Sequence, residues 1–167
     1  YDQLEKANLM LQGVIDHADE PMDSERVRFF FKNPLNDGGT FCGVSDLADK
    51  YGLVPAEVQP ETFSADNTSK MSSLLSSKLR EFGLELRKMV ADGKNDAAIK
   101  ARKTEMLSTI YNMLCLTLGE PVKEFTYTFK TKDGKPVGQP RKYTPKEFYE
   151  ATVGGPVSGS FIMVMND

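Results

Sequence analysis

The stretch from Asn67 to Pro121 constrains the fold most. Met71, Leu74, Leu75, Leu79, Phe82, Leu86, Met89 and Val90 recur at steps that place them on one face of a helix, which starts near Asn67 and ends at Asp92-Gly93. A second run, Ile99, Leu107, Ile110, Met113, Leu114 and Leu118, follows Asp96 as expected N-cap and stops at Gly119 and Pro121. Two amphipathic helices joined by a short Gly-containing loop predict an antiparallel helical hairpin. The apolar stripes of the two helices are most simply the core of their own hairpin.

The flanking segments read as shorter elements. Leu4, Ala7, Leu11, Val14 and Ile15 predict a helix from Tyr1 to about His17, closed before Pro21. Asp23 or Ser24 caps a second helix through Phe31, and Asn33-Pro34 ends it. After the turn sequence Asn36-Asp37-Gly38-Gly39, a third helix carries Phe41, Val44, Leu47, Ala48 and Tyr51 on its apolar face, with Gly52 as C-cap. Leu53 to Asp66, with Pro55 and Pro60, reads as an irregular connector. Phe125, Tyr127 and Phe129 alternate with polar residues as a strand, turn at Asp133-Gly134 and return from Val137. Thr144-Pro145-Lys146-Glu147 is a capping box that opens a helix through Thr152, and the apolar run Phe161 to Met165 predicts a buried strand. The fold class is α+β.

Composition excludes several functions. Twenty-one Lys and Arg against 24 Asp and Glu give a net charge of −3, so bulk charge offers no case for nucleic acid. The lysines and arginine of the second strand region, Lys130, Lys132, Lys135, Arg141, Lys142 and Lys146, read as a solvated strand edge. No apolar run reaches the roughly 20 residues that span a bilayer. Cys42 and Cys115 are too few for a disulfide framework and fit a reducing compartment. With a lone His17, they lack the spacing of a zinc site, and no cofactor or metal is expected. Nothing in the sequence brings His17 within reach of Cys42, so this pair is not read as a catalytic couple, and Cys115 reads as a packing residue in its helix. The chain opens at Tyr1, without Met and already inside an amphipathic pattern, which leads us to expect that the natural N-terminus lies upstream.

Asn36 to Phe63 (NDGGTFCGVSDLADKYGLVPAEVQPETF) resembles the segment of papain-like cysteine peptidases in which a Gly-Gly turn precedes a helix ending in Tyr-Gly and then a Pro-containing connector. YDQLEKAN at the start, KLREFGLE at 78–85, YTPKEFY at 143–149 and MVMND at the end narrow the resemblance to the bleomycin hydrolase and aminopeptidase C branch. The resemblance implies a piece of a papain-like fold in three segments: residues 1–56 from the helical lobe, 57–121 as a helical-hairpin insertion, and 122–167 as hairpin, short helix and buried strand. It implies a cysteine aminopeptidase that removes N-terminal residues from peptides, in the cytoplasm, as a homohexamer built partly through the insertion. It also implies that the nucleophilic Cys and the catalytic His and Asn lie outside this chain, since neither Cys42 nor His17 matches them, so the chain alone is expected to be inactive. Asp37, Gly38 and Gly39 carry over as substrate-binding residues, with Thr40 and Phe41 as walls where the family has a larger polar or aromatic pair. The competing expectation is a non-catalytic helical assembly or binding module.

Overall fold

A computed structural model of the chain describes residues 1–36, 38–157 and 159. In chain order the elements are α1 (Asp2–Asp16), α2 (Glu25–Lys32), α3 (Phe41–Tyr51), α4 (Phe63–Asp66), α5 (Thr68–Ala91), α6 (Asp96–Leu118), β1 (Phe125–Lys130), β2 (Pro136–Tyr143) and α7 (Pro145–Val153). They form two compact units, each discontinuous in sequence: one from α1, α2, α4, α5 and α6, the other from α3, β1, β2 and α7. The expected strand at 161–165 lies outside the described residues.

The helical unit is built on the predicted hairpin. Met71, Leu75, Leu79, Phe82 and Leu86 of α5 and Ile99, Met106, Ile110 and Leu114 of α6 are buried in one core with Ala7, Met10, Leu11 and Val14 of α1. Gly93, at φ 71°, makes the turn, and the Lys94 N–H donates to the Met89 carbonyl at 3.0 Å. Asn95 is the N-cap of α6 in place of the expected Asp96, its Oδ1 accepting from the Ala98 N–H at 2.8 Å. Asp96 becomes the first helical residue, where its negative charge meets the positive end of the helix dipole. Arg102 grips Glu85 with two nearly parallel bonds, Nε to Oε1 at 2.6 Å and Nη2 to Oε2 at 3.1 Å, which sets the register of α6 on α5. That pairing holds the Glu85 carboxyl below its ordinary range and the Arg102 guanidinium above its own.

Leu74 departs from the expected stripe and is 54% exposed. The α5 face turned toward α1 and α6 follows Met71, Leu75, Leu79 and Phe82, and a residue adjacent to Leu75 falls about 100° away from it around the helix.

Two arginines two turns apart on one face of α5 donate to carbonyls at and just beyond the ends of other helices. Arg80 donates to the Phe31 and Lys32 carbonyls of α2, at 2.8 and 3.1 Å. Arg87 donates to the His17 carbonyl at 2.9 Å and to that of Glu20, closing the turn after α1. Between them, α2 is seated by glycine notches: a Cβ on Gly13 would stand 2.4 Å from the Phe30 ring, and one on Gly83 would stand 2.9 Å from that of Phe31. Within the expected connector, residues 63–66 form the single helical turn α4, and the Thr62 hydroxyl donates to the Thr117 carbonyl at 2.9 Å.

In the second unit β1 and β2 pair antiparallel, with Phe125 opposite Tyr143 and Lys130 opposite Pro136. The register slips between Tyr127 and Phe129, and β2 absorbs the extra residues around Gly138, at φ 78°. The period-two pattern puts Phe125, Tyr127 and Phe129 on one face, where all three rings meet Phe148 of α7 at 5.2 to 5.8 Å. Tyr143 completes the cluster, and Val54, Val58 and Val122 pack against it. The capping box of α7 is formed: the Glu147 N–H donates to Thr144 Oγ1 at 3.3 Å and the Thr144 N–H to Glu147 Oε2 at 2.8 Å. These bonds hold the Glu147 carboxyl below its usual range. At the basic strand edge, Lys130 pairs with Glu57, Lys142 pairs with Glu124, and the Arg141 guanidinium lies 5.1 Å from the Tyr143 ring centre.

Candidate functional site

Gly38, Gly39, Thr40 and Phe41 lead into α3 and are all exposed, whereas Asp37 lies outside the described residues. Gly39 takes no positive φ, and a Cβ on either glycine would meet no described residue within 4 Å. A left-handed backbone is therefore not what calls for glycine at position 39. Thr40 serves as the N-cap, its Oγ1 accepting from the Gly43 N–H at 3.3 Å.

The apolar face expected for α3 holds only in its second half. Phe41 and Val44 are 67% and 60% exposed, while Leu47, Ala48 and Tyr51 are half-buried. Ser45, the buried residue of the helix, sends its hydroxyl back to the Cys42 carbonyl at 2.8 Å. The reason is placement: α7 packs against α3 near Asp49 and Gly52. Asp49 Oδ1 accepts from the Tyr149 hydroxyl and, at 3.0 Å, from the Val157 N–H, and the Asp49 carbonyl accepts from Lys146 Nζ. Burial, together with the carboxylate beside it, pushes the Tyr149 hydroxyl above the ordinary tyrosine range. No sequence signal pointed to this pair, because its members are a hundred positions apart.

His17 is engaged within the helical unit. Its Nδ1 lies 2.9 Å from Glu20 Oε1 and its ring stacks on Phe30 at 6.1 Å. Hydrogen bonding to Ser24 first, and then the His17 and Arg26 charges, hold the Glu20 carboxyl low despite partial desolvation. Cys115 is half-buried on α6, and its hydrogen bond to Tyr111 pushes that phenol up to about 12. Among the described residues, no group of three or more His, Cys, Asp or Glu side chains could hold a metal ion, and no helix is long and apolar enough to cross a membrane.

The model of the Peptidase C1-like family matches residues 1–167. The chain belongs to that family. Among curated relatives, aminopeptidase C of Lactobacillus delbrueckii subsp. lactis is 36% identical over 166 residues, which are 99% of this chain and 36% of the relative. Bleomycin hydrolase of Homo sapiens is 34% identical over 155 residues, 92% of this chain and 34% of the relative. The crystal structure of PepW from a Lactobacillus matches with a TM-score of 0.87 at 39% identity, over 92% of this chain and 34% of that one. The chain thus spans about a third of the length of these relatives. The branch resemblance read from NDGG, KLREFGLE and YTPKEFY is borne out, and so is the α+β peptidase fold that it implied.

Proposed function

We propose that this chain is an internal part of a cysteine aminopeptidase of the bleomycin hydrolase type, and that Gly38 and Gly39 pair with the backbone of a peptide substrate. The observation that carries this reading is the pair of glycines itself. Glycine costs conformational entropy and is kept where the backbone needs a positive φ or where something must approach closely. At Gly39 the first reason fails, and a Cβ on either glycine would meet no described residue within 4 Å. An extended peptide, whose own N–H and C=O groups seek backbone partners, is a ligand of the right kind. Position 37 would flank that strand, with Thr40 and the exposed Phe41 as walls.

In this proposal residues 57–121 form an insertion into the peptidase lobe. By the family resemblance they share in homohexamer contacts, and the assembly-module reading would use the same segment. The site of action is the cytoplasm. The thiolate that forms the thioester intermediate, and its His and Asn partners, come from outside the chain.

Two measurements test the reading. In the intact enzyme, Gly39→Val should lower kcat/KM at least about tenfold, equivalent to about 1.4 kcal/mol of transition-state binding, with an unchanged Tm because the new side chain meets open space. Unchanged kinetics would reduce the motif to a plain turn. The chain by itself should not turn over a fluorogenic aminoacyl amide, and turnover abolished by Cys42→Ala would make Cys42 the nucleophile and overturn the assignment.

A further inference from the structure

A groove of about 550 Å³ runs between α1 and α6, floored by Ile15, Ile99 and Leu107. Lys103 projects from α6 into its lining, half-buried, with Nζ donating to Gln12 Oε1 at 2.8 Å. Gln12 in turn donates through Nε2 to Asp16 Oδ1 at 2.7 Å, which fixes the amide with its oxygen toward the lysine. The contrast with other lysines of the helical unit is chemical. Lys6, Lys78 and Lys88 each sit 2.7 Å from a carboxylate oxygen, of Asp2, Glu81 and Asp92 respectively. A carboxylate favours the ammonium form, which has no lone pair to offer. Lys103 instead has a neutral amide as its partner, which favours the ammonium less than a carboxylate does.

We propose that Lys103 is a site of acylation, its amine taking an acyl group from an activated donor of the acyl phosphate or thioester class that enters this groove. The nitrogen lone pair attacks the acyl carbon, a C–N bond forms, and the C–O or C–S bond breaks. The phosphate or thiolate leaves with the bonding pair, the amine proton passes to solvent, and nothing is oxidised or reduced. Burial supports the reaction by holding the ammonium below the ordinary lysine range, against the opposing pull of Asp16. The remaining charges that line the groove are Asp96 and Lys100 of α6. Lys100 is exposed, one turn away on the same groove wall, and so experiences the same local donor concentration without the desolvation.

Limiting acetyl phosphate, with the modified lysines read by peptide mass spectrometry, tests this directly. In the folded chain Lys103 should be acetylated about three- to tenfold faster than Lys100, and the two rates should converge in denaturant. Gln12→Glu places a carboxylate against Nζ, which favours the ammonium, and should slow Lys103 about tenfold with Lys100 unchanged. Circular dichroism of that variant establishes that it is folded, since Gln12 is exposed. A Lys103 rate at or below that of Lys100, or a Lys103 rate indifferent to Gln12→Glu, overturns the assignment.

Discussion

Gly52→Ala is expected to cost the α3–α7 unit about 2 to 6 kcal/mol. Two independent effects add. Gly52 sits at φ 82°, ψ −167°, a region of backbone space that is essentially closed to residues with a Cβ and costs about 1 to 3 kcal/mol to hold. The new Cβ would also stand 2.2 Å from the Pro145 carbonyl carbon and 2.5 Å from the Lys146 nitrogen. Those are backbone atoms at the start of α7, where the capping box fixes the chain, so relief requires α3 and α7 to separate at a further cost of about 1 to 3 kcal/mol. Separation would also strain the bond from the Leu53 N–H to the Pro145 carbonyl, now 3.0 Å. Gly134→Ala supplies the comparison, for Gly134 has φ 80° but open space around its Cβ, and it should cost only about 1 to 2 kcal/mol. Urea unfolding gives the two energies, and hydrogen exchange at the Leu53 amide locates the first. If Gly52→Ala were no worse than Gly134→Ala and Leu53 kept its protection, the close approach of Gly52 to α7 would be wrong.

What the sequence made legible was set by the range of the interaction. Periodicity and caps are local, so the helical hairpin, the Ser24 cap of α2, the Thr144 capping box and the aromatic face of β1 were all readable before any coordinates. Interactions that join distant positions were not. Nothing local marks Arg80 and Arg87, yet each closes the end of another helix about 50 or 70 positions away. Gly13 and Gly83 stand inside helices, where glycine costs about 1 kcal/mol relative to alanine, and they are seats for Phe30 and Phe31. The apolar pattern of α3 misled because periodicity reports which face is apolar and not how far along the helix a partner extends. Phe41 and Val44 continue the stripe of Leu47 and Tyr51 beyond the end that α7 reaches. For the candidate site the position is reversed: Gly38-Gly39 is locally an unremarkable turn sequence, and only the family resemblance singled it out. What the structure adds is local: Gly39 is not left-handed, and a Cβ on either glycine would meet no described residue within 4 Å.

Ile110→Ala should destabilise the helical unit by about 2 to 5 kcal/mol, a large fraction of the 5 to 15 kcal/mol that typically holds a domain folded. Ile110 is fully buried on α6, in the core shared by α1, α5 and α6. Removing three carbons there forfeits their transfer from water and leaves a cavity, and the neighbours are poorly placed to fill it. The registers of the surrounding helices are fixed independently of this contact, by the Glu85–Arg102 fork between α5 and α6 and by Lys103 reaching Gln12 from α6 to α1. A site that cannot collapse belongs toward the upper part of that range. Leu116→Ala is the matched control, since it also shortens a large apolar side chain on α6 but at a position 88% exposed, and it should stay within about 0.5 kcal/mol of the parent chain. The difference between the two, read from urea midpoints at constant slope, isolates burial from helix propensity, because alanine favours the helix in both. Equal effects would mean that α6 does not present Ile110 to the core, and the packing of the hairpin against α1 would have to be redrawn.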